Sequence, residues 1–404
     1  MTGPEDRRKT GSLRILYVAT KPPFPPSDGG KLLIWNTIRD LAVRGHDITC
    51  VAPDLGDMPP ESVEQMSQHC HPRLVSCRPG RLLPSLMKAQ LSRKPLSILR
   101  HRHQALIQSV REELAKGHFD VIHVEQVQSF FNLPIGNSKP PIVFRAQNVE
   151  SNLWRMVAGI RPKISWIARR EARKMAAVEA QAVHNAAATI ALTRPDGEAL
   201  AGGIGMRAAN IHLIPPPFPA DLPTADRTLP GDPAIFLLGG GWLPNKDSIR
   251  WFFDSIWEDI RRHNPDAIAH VYGDDPTPPL PSNIHHPSPA DSRDLFCDGA
   301  ILVVPLRVAS GIRMKILEAW ARGIPVVATP EAASGLGARN GDEVLLAGTG
   351  AEFAEAITRL RSEPELRRRL VDHGRKVLAT RHCSNRVAGL LEETYRDVID
   401  QSRN

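Results

Sequence analysis

The feature that most constrains this chain is an alternation. Short apolar runs rich in β-branched residues are separated, through nearly all of its 404 residues, by stretches of helical length and period. In the first half the runs lie at 14–20, 47–52, 73–77, 121–125, 142–146, 189–193 and 211–215. In the second they lie at 234–238, 267–272, 300–305, 325–328 and 343–346. Helical periodicity fills 31–44, 165–187, 246–262, 312–322 and 351–361, with a last helix at 384–396. Strands alternating with helices predict parallel sheets joined by right-handed crossovers. The pattern breaks once, at PPPFPADLPTADRTLPGDP, residues 215–233, which holds too much proline for either element. The expected organisation is therefore a disordered lead-in at 1–12, a Rossmann-like domain at 13–215, a Pro-rich linker at 216–233, a second Rossmann-like domain at 234–383, and a terminal helix at 384–404 that crosses back to the first. The fold class is α/β, with two doubly wound domains facing a central cleft, since ligands of such sheets bind outside the carboxyl ends of the strands.

Composition narrows the partners. The net charge is +7, which suits a polyphosphate-bearing substrate or an anionic membrane surface. Nucleic acid fits less well: three tyrosines and no basic stretch interleaved with aromatics leave no stacking platform. No apolar run reaches the roughly 20 residues that span a bilayer, and the polar first twelve residues do not read as a signal peptide. The five cysteines form an odd set without metal-type spacing, so a cytoplasmic protein with free thiols and no metal site is expected.

The most informative stretch is LVVPLRVASGIRMKILEAWARGIPVVAT, Leu302–Thr329. A buried strand is followed by a short loop and a helix. Ser310 is placed to cap that helix, and Gly311 lets a ligand approach its backbone. A helix N-terminus is an anion site, and Lys315 and Glu318 follow Gly311 at i+4 and i+7 on one face. A cation beside a diphosphate and a carboxylate beside ribose hydroxyls would suit a nucleotide. The plainer alternative is a solvated Lys315–Glu318 pair, although Lys ahead of Glu is the poorer orientation.

This stretch resembles the nucleotide-binding signature of the retaining glycosyltransferase family four, whose members have two Rossmann-like domains (the GT-B fold). The run ILEAWARGIPVV is similar to the second half of that signature, and implies that Glu318 binds the donor ribose. The family's first glutamate corresponds to Ser310, so the contact to the donor sugar differs here, as in a subset with Ser-Gly-x-x-x-Lys. The opening strand and PPFPPSDGGKLLIW resemble the family's first glycine loop, with Gly29 and Gly30 close to donor phosphates or acceptor. GGGWLPNKDSIRWF resembles the first loop of the donor-binding domain, where Lys246 is retained and Gly241 stands in the place of an arginine. Arg313 or Lys315 would then supply the missing charge. In FRAQNVESNLW, Gln147 stands where relatives carry histidine, and Asn148 and Glu150 are further polar candidates that equally suit a helix start. His123, in VIHVEQVQ, precedes a cleft loop in the family, though a histidine in an apolar strand is more commonly a satisfied core residue.

The resemblance thus implies transfer of a sugar from a nucleotide diphosphate, such as a UDP- or GDP-sugar, to a hydroxyl of a glycan, a lipid-linked sugar or a small molecule, as in polysaccharide biosynthesis. The first domain would take the acceptor and the second the donor. Retention of anomeric configuration is implied, with Lys246, Lys315 and Arg313 acting on the leaving diphosphate, Gln147 as a further catalytic candidate that hydrogen-bonds a hydroxyl or a diphosphate, and Gly29, Gly30, Gly241, Ser310, Gly311 and Glu318 binding the donor. No cofactor beyond the donor substrate is implied, and the donor's own phosphate would take the acceptor's proton. Two alternatives stay open: a nucleotide-sugar epimerase of the same double fold, and a nucleotide-sugar-binding scaffold without catalysis. A dinucleotide dehydrogenase fits less well still, since no G-x-G-x-x-G follows the first strand with an acidic residue about 20 positions later. Finally, LLPSLMKAQLSRKPLSILRHRH (82–103) and RPKISWIARREARK (161–174) are basic and amphipathic. Such helices can lie on the inner face of an anionic membrane, or simply show a solvated basic face.

Overall fold

Among the described residues thirteen strands pair in parallel, and all but one of them fall on the apolar runs of the sequence, in this computed structural model. The structure describes residues 11–56, 58–134, 140–202, 210–239, 243–273, 284–285 and 292–403. The chain divides into two units, one made of 1–217 with 384–404 and the other of 218–383.

In the first unit the described strands are β1 (Arg14–Val18), β2 (Asp47–Asp54), β3 (His71–Ser76), β4 (Val121–Glu125), β5 (Ile142–Ala146), β6 (Ala188–Ala191) and β7 (Ile211–Leu213). They form one sheet in the order β3-β2-β1-β4-β5-β6-β7. In the second unit β8 (Ala234–Leu238), β9 (Ile268–Tyr272), β10 (Ile284–His285), β11 (Ile301–Val304), β12 (Val326–Ala328) and β13 (Leu345–Leu346) form a sheet in the order β10-β9-β8-β11-β12-β13. Parallel strands covered on both faces are buried along nearly their whole length, so β1, β8 and β11 read as near-continuous apolar runs rather than alternating ones, and β4 and β5 do so apart from His123, Glu125 and Arg145.

Each sheet reverses direction of winding at one place, between β1 and β4 in the first and between β8 and β11 in the second. These are the topological switch points, where loops diverge from the strand ends and leave a crevice. Local chemistry fixes where the neighbouring helices start. Asp28 caps the helix Gly29–Val43, its Oδ1 accepting from the backbone N–H of Gly30 at 2.8 Å and Lys31 at 3.0 Å. Such a cap is worth about 1 kcal/mol. Thr349 and Glu352 form a reciprocal capping box at the helix Gly350–Ser362.

The terminal helix Ser384–Arg403 runs seven residues beyond its predicted end and contributes Val387, Leu391, Tyr395 and Val398 to the core of the first unit. These positions recur at three and four residues, the spacing of a single helical face. Its polar side is tied down by Glu392, whose carboxylate accepts from Arg44 at 2.9 Å.

Three expectations change. The helix predicted at 246–262 is two helices, Leu243–Ser255 and Trp257–His263, which meet at Ile256, and Ile256 and Trp257 are buried there in the core with Phe252. The short strand β10 lies in a Pro- and Ser-rich stretch with no strand periodicity, and exists through pairing with Ala269 and His270 of β9. The segment from Phe218 onward is not a free linker: Phe218 donates its N–H to His382 O, Leu222 to Ala321 O and Ala225 to Phe296 O.

Candidate functional site

Two clusters of polar residues stand at the switch points, one in each unit. In the first unit the chain leaves β1, turns through Lys21 and Asp28, and enters the Gly29–Val43 helix. Lys21 Nζ lies 2.6 Å from Asp28 Oδ1. Burial would raise the Asp28 pKa, but the Lys21 ammonium and the backbone N–H of Lys31 outweigh it and hold the carboxyl below its usual range. A Cβ at Gly30 would stand 2.9 Å from Lys21 Nζ and 3.0 Å from Gln147 Oε1, so a side chain there would have to displace the ends of both.

Beneath this turn lies a buried polar network built from the ends of β1, β4 and β5. Glu125 and Arg145, both essentially without solvent exposure, form its centre. Arg145 donates from Nε at 3.0 Å and from a terminal nitrogen at 2.5 Å to the carboxylate. It also donates to Tyr17 OH at 2.7 Å and Thr37 Oγ1 at 3.0 Å. Tyr17 OH donates in turn to Glu125, and Gln147 Nε2 donates to its other oxygen at 2.9 Å. Desolvation opposes the charge on Glu125, yet Arg145 and His123 more than offset it and hold the carboxyl far below the carboxylate range.

His123 completes the network from below. Burial brings its pKa down to about 4 despite the hydrogen bond to Glu125, so the ring is neutral. A neutral imidazole has one donor and one acceptor nitrogen. Glu125 can only accept, which assigns the hydrogen to Nε2 at 3.3 Å, and Nδ1 therefore accepts from Tyr395 OH at 2.7 Å. Both nitrogens are satisfied, and His123 is a core residue rather than a base.

In the second unit the loop after β11 leads into the helix Met314–Ala321. Gly311 holds a φ of 72°, in the left-handed region, which interrupts helical geometry ahead of the helix. The helix accordingly begins at Met314 with Arg313 at the cap position, and Ser310, three residues earlier, does not cap it. Gly311 is thus off the helix, so it does not share a helical face with Lys315 and Glu318 as the spacing suggested. Nor do those two pair. Lys315 Nζ reaches across to the end of β8 and donates to Leu238 O at 2.6 Å. Glu318 accepts from Arg322, one turn on, at 3.0 Å. Burial, with the positive charge of Arg313 beside it, brings the Lys315 ammonium down to about 7. The start of the loop is anchored by Arg307, which makes a two-pronged ion pair with Asp247 at 2.9 Å and lies over the Trp251 ring at 5.4 Å.

Family models match two long segments of the chain. Residues 27–222 match Glycosyltransferase Family 4, and residues 232–363 match Glycosyl transferases group 1. The chain is a family-four-like glycosyltransferase with the GT-B fold. No curated protein sequence matches it significantly. Among solved structures, the sucrose-phosphate synthase of Thermosynechococcus elongatus is similar with a TM-score of 0.73 at 18% identity, over 96% of this chain and 100% of that one. HepE of Anabaena, in complex with UDP and glucose, has a TM-score of 0.63 at 16% identity, over 95% and 100%. TarM has a TM-score of 0.70 at 9% identity, over 95% and 98%. At such identities these likenesses show the fold.

Within this glycosyltransferase the predicted residues fall into separate groups. Gly29, Gly30 and Gln147 are brought together in the first unit, where the Gln147 amide also accepts from Gln126 Nε2 at 2.7 Å. Ser310, Gly311, Arg313, Lys315 and Glu318 line the loop and helix of the second, and Lys246 is exposed on the helix Leu243–Ser255. Asn148 and Glu150 stand at the start of the helix Glu150–Ile160, where Val149 is the cap residue and Glu150 occupies the first turn. Gly241 lies outside the described residues. Sequence reasoning passed over Lys21, Gln126, Arg145 and the Arg307–Asp247 pair. Arg145 carried a signal, since an arginine inside the apolar strand IVFRA requires a buried partner.

Proposed function

We propose that this glycosyltransferase moves a hexose or related sugar from a nucleotide diphosphate to an acceptor hydroxyl, with retention of configuration. The observation that carries the proposal is the position of Lys315: a partly buried ammonium anchored on the carboxyl end of β8, one helical turn ahead of Glu318, at the switch point of the second sheet. A diphosphate leaving group needs cationic and dipolar neutralisation as the bond to the sugar breaks. Lys315, Arg313, Lys246 and the backbone around Gly311 provide it, and Glu318, oriented by Arg322, accepts from the ribose hydroxyls. Uridine is the first base to test, because the Anabaena HepE structures hold UDP, UDP with glucose, and UDP-glucose.

The first unit takes the acceptor. Gln147 cannot act as a base; held between Glu125 and Gln126, it presents a fixed hydrogen-bonding surface beside Gly30 at the start of the helix Gly29–Val43. The donor's phosphate then receives the hydroxyl proton. Of the acceptor classes, a lipid-linked sugar at the inner face of the membrane fits the basic surface of the first unit best. Calorimetric titration with UDP, GDP and ADP, on the parent chain and on Glu318→Ala, tests the donor site. Micromolar binding of one nucleotide, weakened about tenfold by the substitution, is expected, a change of about 1.4 kcal/mol. Absence of binding, or equal binding by the variant, would overturn the assignment.

A further inference from the structure

The helix Leu82–Leu91 has an apolar stripe that no described residue of the first unit covers. Leu83, Met87 and Leu91 follow at i, i+4 and i+8 on one face and are 72%, 69% and 89% exposed. Beside its end lies the start of the helix Ser165–Asn185, whose Trp166 is 64% exposed. The two are joined: Arg170, one turn past Trp166 on the same helical face, donates to Gln90 O at 2.7 Å, and Lys174 donates to Ala89 O. The stripe and Trp166 are therefore parts of one surface rather than scattered exposed side chains, and a contiguous apolar patch of this kind marks an interaction site.

The charge on that surface is one-sided. Residues 78–103 carry seven Lys and Arg and no Asp or Glu; residues 155–170 carry five, again with no acid. The whole chain has an excess of only +7, so outside these two stretches acids outnumber bases. Lys88, Arg93, Lys94 and Arg169 are exposed around the stripe.

We infer that this face docks on a bilayer containing anionic lipid. Leucine, methionine and tryptophan side chains would enter the boundary between headgroups and acyl chains while the surrounding cations stay among the phosphates. Self-association fits poorly, because a two-fold interface would set this acid-free patch against itself. Nucleic acid fits poorly as well, since one tryptophan does not make a stacking platform. Given the transfer reaction proposed above, the docked face also explains where an acceptor would come from. The segment from Cys77 to His103 leads from the end of β3, and its Pro79, His101 and His103 stand beside Pro53 and Leu55 at the carboxyl end of β2, so the docked face is continuous with the strand ends of the first sheet.

Vesicle flotation of the full chain tests this, using vesicles of phosphatidylcholine alone and of equal parts phosphatidylcholine and phosphatidylglycerol. Binding to the anionic vesicles that weakens with added salt is expected. Two double variants, Leu83→Asp with Leu91→Asp and Lys88→Gln with Arg93→Gln, should each weaken binding about tenfold or more while leaving circular dichroism and nucleotide titration as in the parent. Equal floating with neutral and anionic vesicles, or undiminished binding by both variants, would overturn the inference. So would a dimer in sedimentation that the Leu83→Asp, Leu91→Asp variant dissolves. The nucleotide titration stands apart from this: a chain that binds vesicles but no nucleotide would keep the docking surface and lose the donor site.

Discussion

If Lys315 neutralises the donor diphosphate, the affinity for a sugar nucleotide must fall as the pH rises through neutrality. An ordinary surface lysine would impose no such dependence, because it stays charged until far higher pH. Here burial and Arg313 bring the ammonium down to about 7. Its charged fraction in the free protein then falls from about nine-tenths at pH 6 to about one-tenth at pH 8. A bound diphosphate would restore the charge, so binding at the upper pH must take up a proton. The sign follows directly: the form that binds is the protonated one, and it is depleted above pH 7. The apparent Kd should weaken about tenfold between pH 6 and pH 8, equivalent to about 1.4 kcal/mol. A sugar nucleotide is the better ligand than free UDP, whose terminal phosphate titrates in the same interval. Calorimetry at pH 8 in two buffers of different ionisation enthalpy should report an uptake of about 0.9 proton per site. Lys315→Arg should bind with little dependence on pH, and Lys315→Met weakly at every pH. An affinity that is flat across the interval, with no buffer-dependent heat, would refute the reasoning. The same pH slope in Lys315→Met would refute it equally.

Two further predictions concern stability of the first unit. Arg145→Met should destabilise it by about 3–5 kcal/mol in urea unfolding, because Glu125 would be left buried without its cation; a loss below about 1 kcal/mol would show that the pair is not desolvated as described. Glu179 is buried beside the N–H of Ser151, and burial raises its pKa to about 7, with Glu150 adding to the rise. A carboxyl raised in the folded state favours folding fully below its ordinary value of 4.5, and that contribution is lost as the pH climbs through 7. Glu179→Gln should therefore stabilise the protein above pH 7, by up to roughly 3 kcal/mol, and do little at pH 4. Thermal unfolding at the two pH values checks this, and equal effects at both would refute it.

The double Rossmann-like fold was readable from the chain because buried parallel strands have a one-dimensional signature: β4, β5 and β8 run between the very residues where their apolar runs begin and end. The run ILEAWARGIPVV was readable for the same reason, being a constraint local to a few neighbouring residues; Gly29 and Gly30, which read as part of a loop, instead open the helix Gly29–Val43. What the sequence could not express were partnerships between residues far apart along it. Tyr395 reaches His123 from 272 residues away, and Arg145 reaches Tyr17 from 128. Lys315 and Glu318, three apart on one helix, look like partners in the sequence. In the fold each has a different one, Lys315 the carbonyl of Leu238 at the end of β8 and Glu318 the guanidinium of Arg322. Local periodicity records burial and chain direction, which each strand or helix carries in its own residues. Which buried charge meets which is decided only when strands distant in the chain become neighbours in the sheet, and it is there that His123 becomes a core residue and Lys315 a lysine poised near neutrality.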